Sequence, residues 1–153
     1  MEVKALGHVV LYVRDLKQSV KFYADVLGWR QIFPHKERVG MSPIAVFSSG
    51  RTHHELLLIE VGSHAAPLPP NPRVGLYHIG LKIGDSDNEL REAKARLEQA
   101  GVPITGASDH TVSHSLYIAD PDGNEIELYI DVPGVDWHTD PSLVLSGIKP
   151  LRL

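Results

Sequence analysis

The feature that most limits how this chain can fold is a repeat. His8 interrupts an aliphatic run from Val3 to Val13, and His78, 70 residues later, interrupts a second run from Leu76 to Ile83. Both runs are rich in the β-branched and aromatic residues that favour strands. After the first, Asp15 stands where a helix cap belongs, with Gln18 three residues on, and Leu16, Val20, Tyr23 and Leu27 recur at helical spacing until Gly28. After the second, Asp85 or Asp87 takes the cap, Leu90, Ala93, Leu97 and Ala100 make the stripe, and Gly101 ends it. Each helix is followed by three strand-like runs: Trp29 to Phe33, Met41 to Ser48 and His54 to Val61, then Val102 to Thr105, Ser113 to Ala119 and Glu125 to Ile130. Pro34, Pro43 and Gly50 punctuate the first set. The order βαβββ therefore occurs twice, which makes an α+β chain with internal duplication.

Between the copies, Gly62 to Arg73 holds four prolines, too many for a helix or a central strand. The expected organisation is one domain over 1–132, with module one at 1–62, a linker at 63–73 and module two at 74–132. A tail over 133–153 follows. It carries Trp137, Leu143, Val144, Leu145 and Ile148, too much apolar surface to leave in water, and is expected to pack on the domain.

The last strand of the second copy is the most informative. Asp120-Pro121-Asp122-Gly123-Asn124 has the residues of a tight reversal, with proline presetting φ, Gly123 and Asn124 tolerant of positive φ, and aspartates able to bond the local backbone. Period-two alternation then puts Ile126, Leu128 and Ile130 on one face and Glu125, Glu127 and Tyr129 on the other. Taken alone, that second face fits solvated glutamates. Matched histidines weigh against so plain a reading: His8 and His78 alternate away from their aliphatic neighbours, and His54 falls in the last strand of module one as Glu127 falls in that of module two. His8, His54, His78 and Glu127 thus form four pseudo-equivalent positions. Two histidines and a carboxylate make the facial set that leaves coordination positions open on non-haem Fe(II).

Composition narrows the chemistry further. There is no cysteine, so a metal can be held only by histidine and carboxylate, and no disulfide forms. The balance of 15 Lys and Arg against 19 Asp and Glu gives a net charge of −4 with no basic stripe, which argues against nucleic acid as a partner. No long apolar run or charged-then-apolar leader is visible, so no membrane partner is expected and the protein is expected to be cytoplasmic.

In these residues and their spacing, the chain from 5 to 132 resembles the vicinal oxygen chelate superfamily, which includes glyoxalase I, fosfomycin-resistance proteins, bleomycin-binding proteins and type I extradiol ring-cleavage dioxygenases. His53-His54-Glu55-Leu56, Asp109-His110-Thr111-Val112-Ser113, and Tyr117 through Asp120-Pro-Asp-Gly-Asn-Glu-Ile-Glu127-Leu-Tyr129 resemble the dioxygenases most. The resemblance implies paired modules forming a cupped mixed sheet around one metal, and a homodimer. It implies Fe(II), alternatively Mn(II) or another divalent ion, held by His8, His78 and Glu127. It further implies an acid/base role for His54, a substrate-bonding role for Tyr117 and an active-site role for His110, with a catechol-type diol and O₂ as substrates. Since His53 and His54 adjoin, strand parity lets only one face the metal, and the motif selects His54.

The chemistry suits these residue types: a divalent ion favours the deprotonated form of a bound phenol, a neutral histidine takes up its proton, and a tyrosine donates to developing charge. Tyr117 fits equally well as a core aromatic with its hydroxyl at the surface. Three alternatives remain. A glyoxalase-like lyase needs a carboxylate from module one, where His54 stands and Glu55 points to the wrong face unless the strand slips by one. A fosfomycin-type transferase keeps two histidines and a glutamate but needs basic residues for a phosphonate, for which Arg51 and Lys82 are the nearby candidates. A non-catalytic binding module needs no metal ligands.

Overall fold

The computed structural model describes residues 1–33, 42–70 and 72–153; Pro34 and Met41, which bound expected strands, and Asn71 of the linker lie outside the described residues. The chain divides into two compact units, Met1–Leu68 and Pro69–Leu153. Among the described residues no helix is long and apolar enough to cross a membrane.

The first unit runs β1 (Val9–Val13), α1 (Leu16–Val20) with a π-helical continuation (Lys21–Val26), β2 (Gln31–Phe33), β3 (Ile44–Phe47) and β4 (Leu56–Glu60). Its mixed sheet has the order β1-β4-β3-β2, with β1 parallel to β4 and the other pairs antiparallel. The strand expected from Val3 begins only at Val9, because its partner β4 begins only at Leu56; before that point the neighbouring chain is turning and offers no ladder. Asp15 caps the helix as expected, its Oδ1 accepting from Gln18 N at 3.0 Å. Glu60 at the far end of β4 accepts from Leu16 N at 2.8 Å, so two carboxylates satisfy two of the helix's free amides. Further on, Leu27 N donates to Phe22 O, five residues back, and the widened turn lets two successive aromatics, Phe22 and Tyr23, both be buried. They pack with Leu16 over Leu11, Val13, Ala45, Phe47, Leu56 and Leu58, and burial of each such large side chain stabilises the unit by about 1.5–3 kcal/mol.

The opposite face of this sheet is also apolar but open. Val10 is 47 % and Tyr12 70 % exposed, and the pairing puts Leu57, Ile59 and Val46 on the same side, in line with His8.

The second unit repeats the order as β5 (His78–Gly84), α2 (Asp87–Gln99), β6 (Gly106–Asp109), β7 (Ser113–Ala119) and β8 (Glu125–Asp131), then adds a 3₁₀ turn (Pro141–Leu145) and a two-residue strand, β9 (Lys149–Pro150). The sheet order is β5-β8-β7-β6-β9, with β5 and β8 parallel. Two expectations are corrected here. The cap of α2 is Ser86, not Asp85 or Asp87: Ser86 has Glu89 three residues on, and the Glu89 carboxylate accepts from Asp85 N at 2.9 Å and Ser86 Oγ at 2.8 Å. Gly84 makes room for it, since a Cβ there would fall 2.4 Å from Glu89 Cδ. Asp85 and Asp87 are engaged elsewhere, with Lys82 and His114 respectively.

The strand expected at Val102–Thr105 lies instead at Gly106–Asp109. The partner decides this, because β7 pairs Gly106 to Tyr117 and Asp109 to His114, whereas Pro103 has no amide to offer.

The tail joins the second unit through its last residues. Lys149 and Pro150 pair with Asp109 and Ser108, Leu151 N donates to Ala107 O, and Leu151 and Leu153 line a cavity of about 390 Å³ with Val102, Ile104 and Leu116. Val144, Leu145 and Ile148 are exposed.

Candidate metal centre

The Asp120–Asn124 reversal aims β8. Asp120 N donates to Asn124 O at 2.9 Å, the Asp120 carboxylate accepts from Asp122 N and Asn124 N, and Gly123 supplies the one positive φ, 88°. Ile126, Leu128 and Ile130 are buried, as alternation requires, so Glu125, Glu127 and Tyr129 stand on the opposite face. On that face β5 contributes His78, and β7 contributes Ser115 and Tyr117.

These side chains converge on Glu127. Its Oε2 lies 3.2 Å from His78 Nε2. Its Oε1 accepts from Ser115 Oγ at 2.6 Å and from Tyr117 OH at 3.0 Å. His110 Nε2 is 2.7 Å from Tyr117 OH; since the tyrosine proton goes to the carboxylate, His110 is assigned as the donor. The β6–β7 turn brings His110 there: His110 N donates to Ser113 O, and Thr111 takes a positive φ of 72° held by Asp109 Oδ1. Burial, the charge of Glu127 and the bond to it push the Tyr117 hydroxyl up to about 12, so it remains a proton donor across the neutral range. Glu125 Oε1 stands 3.3 Å from His78 Nδ1 without the angle of a hydrogen bond, and that buried nitrogen has no hydrogen-bond partner among the described residues.

The first unit gathers histidines instead. The rings of His8 and His54 are 4.3 Å apart, those of His53 and His54 4.4 Å, and the His53 and His54 Nδ1 atoms approach to 2.5 Å. Partial desolvation first, then the neighbouring His8 and His53, hold His54 below the ordinary histidine range, so it is neutral near pH 7. Glu55 is engaged by its own strand entry: Oε1 accepts from Arg51 Nε at 2.8 Å and Oε2 from Ser49 N at 2.6 Å. Burial pushes its carboxyl up, but those bonds from Ser49 and Arg51 outweigh it and hold the group low.

One equivalence read from the sequence is corrected by the registers. Val9 pairs with Leu56 as Ile79 pairs with Ile126, so Leu57, not His54, takes in the first sheet the place of Glu127. His54 corresponds to Asn124, just before the strand. Alternation alone could not show this, because it fixes which side a residue faces but not which rung it occupies.

The His78–Glu127 pair fits a cation. Two ligands at right angles, each about 2.1 Å from an ion, lie about 3.0 Å from each other, close to the observed separation. A nitrogen and an oxygen donor also suit Fe(II) or Mn(II). Among the described residues no three His, Asp or Glu side chains are grouped to hold a metal, so the second unit supplies a pair and not a complete set. Ser115 is absent from the sequence candidates, and Glu125 entered only as a neighbour of Glu127 on the same strand face. Ser115 shares its parity with Tyr117, the only signal the sequence offered for it.

Comparison with known proteins matches residues 5–128 to the Glyoxalase/Bleomycin resistance protein/Dioxygenase superfamily. Over 135 residues the chain is 37 % identical to the catechol-2,3-dioxygenase of Bacillus subtilis (strain 168), covering 88 % of this chain and 44 % of that protein. It is 28 % identical to biphenyl-2,3-diol 1,2-dioxygenase 3 of Rhodococcus globerulus, covering 82 % of this chain and 63 % of that one. The chain thus spans between two fifths and two thirds of these relatives. The crystal structure of a glyoxylase/bleomycin resistance protein/dioxygenase domain from Frankia sp. EAN1pec superposes with a TM-score of 0.68 at 23 % identity, over 85 % of this chain and 99 % of that one, a likeness of fold. With a duplicated βαβββ order, two mixed sheets and a family match across both units, the chain belongs to the Glyoxalase/Bleomycin resistance protein/Dioxygenase superfamily.

Proposed function

We propose that this chain is a metal-dependent extradiol dioxygenase that opens a catechol-type ring with O₂, breaking the carbon–carbon bond beside the diol and placing both oxygen atoms in the product. In this reading His8, His78 and Glu127 hold Fe(II), or alternatively Mn(II), and the protein works in the cytoplasm as a homodimer. The observation that carries it is the convergence on Glu127 of His78, Ser115 and Tyr117, with His110 behind the tyrosine. The ion, when bound, supplies Lewis acidity to the diol and open positions for diol and O₂.

The chain's own residues supply proton handling. His54, neutral near pH 7, accepts the proton a diol gives up on binding and returns one later. Tyr117, a donor throughout the neutral range, hydrogen-bonds a substrate oxygen as charge develops there. His110 keeps the tyrosine hydroxyl oriented from 2.7 Å away. The open apolar face beside His8, formed by Val10, Tyr12 and Leu57, suits an aromatic ring more than a phosphonate.

Two observations weigh against the alternatives. Leu57 stands at the place of a first-unit carboxylate, which disfavours the lyase. Both cations a phosphonate would need are engaged: Lys82 by Asp131 at 2.7 Å and by Asp85, Arg51 by Glu55.

The test is anaerobic reconstitution with Fe(II) followed by addition of catechol and O₂. A yellow ring-fission product with stoichiometric O₂ uptake is expected, and its absence in the iron-loaded protein overturns the reading. Ala at His8, His78 or Glu127 should each weaken metal binding by about ten-fold or more. Full occupancy in Glu127→Ala would turn attention to Glu125.

A further inference from the structure

We infer that Ser115 is a positioning residue for the Glu127 carboxylate: its hydroxyl holds Oε1 so that Oε2 alone is presented beside His78. This rests on the reading of Glu127 as a metal ligand.

Serine is seldom fully buried, and Ser115 has no exposed surface. It sits mid-strand in β7, opposite Tyr129 and one rung diagonally from Glu127, while Tyr117 is directly opposite Glu127. A hydroxyl so placed needs a partner, and it donates to Glu127 Oε1 at 2.6 Å, within the short range of bonds to an ionised acceptor. The two carboxylate oxygens are therefore not equivalent. Among the described residues, Oε1 receives two hydroxyl donors, and Oε2 receives none but faces His78 Nε2 at 3.2 Å. A cation beside His78 meets Oε2 and binds one oxygen. Binding both would cost the bonds to Ser115 and Tyr117.

The two donors have different duties. Tyr117 is half-buried on the open face of the sheet and shares its hydroxyl with His110, so it can turn towards a substrate oxygen. Ser115 cannot turn away, because it is enclosed. When Tyr117 leaves Oε1, the serine keeps the carboxylate in register, so substrate binding does not loosen the ligand. A single-oxygen mode also leaves one more coordination position free than a two-oxygen mode does.

The probe is Mn(II) alone, measured by equilibrium dialysis on the full chain without substrate, together with the infrared spacing of the glutamate carboxylate stretches, which narrows when both oxygens bind one ion. Wild type, Ser115→Ala, Ser115→Thr and Glu127→Ala are compared, with circular dichroism as a control for folding. Ser115→Ala should weaken Mn(II) binding by about ten-fold and narrow the spacing, while Ser115→Thr, which keeps the hydroxyl, should restore both. If the alanine protein does not fold, Ser115→Cys preserves the volume with a much weaker donor and carries the same expectation. Wild-type affinity and spacing in Ser115→Ala, in a series where Glu127→Ala loses the ion, overturn the role of Ser115 and leave the ligand assignment standing. Mn(II) binding that survives Glu127→Ala overturns both.

Discussion

Leu57 lies beside Val10 in the first sheet as Glu127 lies beside Gly80 in the second. The duplicated unit thus offers two matching rungs and places a carboxylate on only one. A lyase-like site with four protein ligands would have one on both, so the leucine is the point at which this chain departs from such a site.

Replacing that leucine by glutamate is expected to add a ligand where O₂ or the diol would enter. Leu57→Glu should bind Mn(II) more tightly and lose ring cleavage, with dialysis and O₂ uptake measured on one preparation. Unchanged metal affinity in a folded variant would show that this rung does not face the ion.

His54 is expected to act after binding. His54→Phe should leave Fe(II) and catechol affinity nearly intact while lowering kcat by about 10²–10⁴-fold, the range of a positioned proton-transfer group. Loss of iron in step with activity would instead make it a ligand. In the metal-free protein, proton NMR should find His54 titrating below the usual value of about 6.5, and His8→Ala should raise it.

Tyr117 should ionise near pH 12 in the folded protein, against about 10 for an ordinary tyrosine. Because the folded pKa is the higher, the unfolded chain loses this proton first as pH rises. The group's contribution to stability is therefore complete below about pH 10 and is lost between about 10 and 12. Tyr117→Phe should flatten that part of the stability curve, read by urea unfolding at stepped pH. An unaltered alkaline slope would show that Tyr117 is not the group responsible.

The tail is expected to protect the edge of the second sheet. Deleting 133–153 removes β9 from β6 and opens the cavity lined by Leu151 and Leu153, so aggregation or a changed oligomeric state should follow, measured by light scattering. A soluble truncation of unchanged mass and activity would make the tail a passive appendage.

Much of this protein is written in short-range sequence. The 70-residue repeat carries the βαβββ order because local signals recur with it: strand-forming runs, Asp15 before a helical stripe, and the Asp120–Asn124 reversal. Alternation likewise determines that Glu127 leaves the core side of its strand, since the backbone allows only two directions, whereas Tyr117 suited either side until pairing set it opposite Glu127. What the tertiary structure decided is everything that depends on a partner. The position of β6 follows from its pairing with β7, and that of β9 from its pairing with β6. The rung shared by Leu57 and Glu127 follows from register, and the bond from Ser115 to Glu127 from the diagonal between two strands. Such relations join residues distant in the chain, and only pairing across a sheet sets the distance between them.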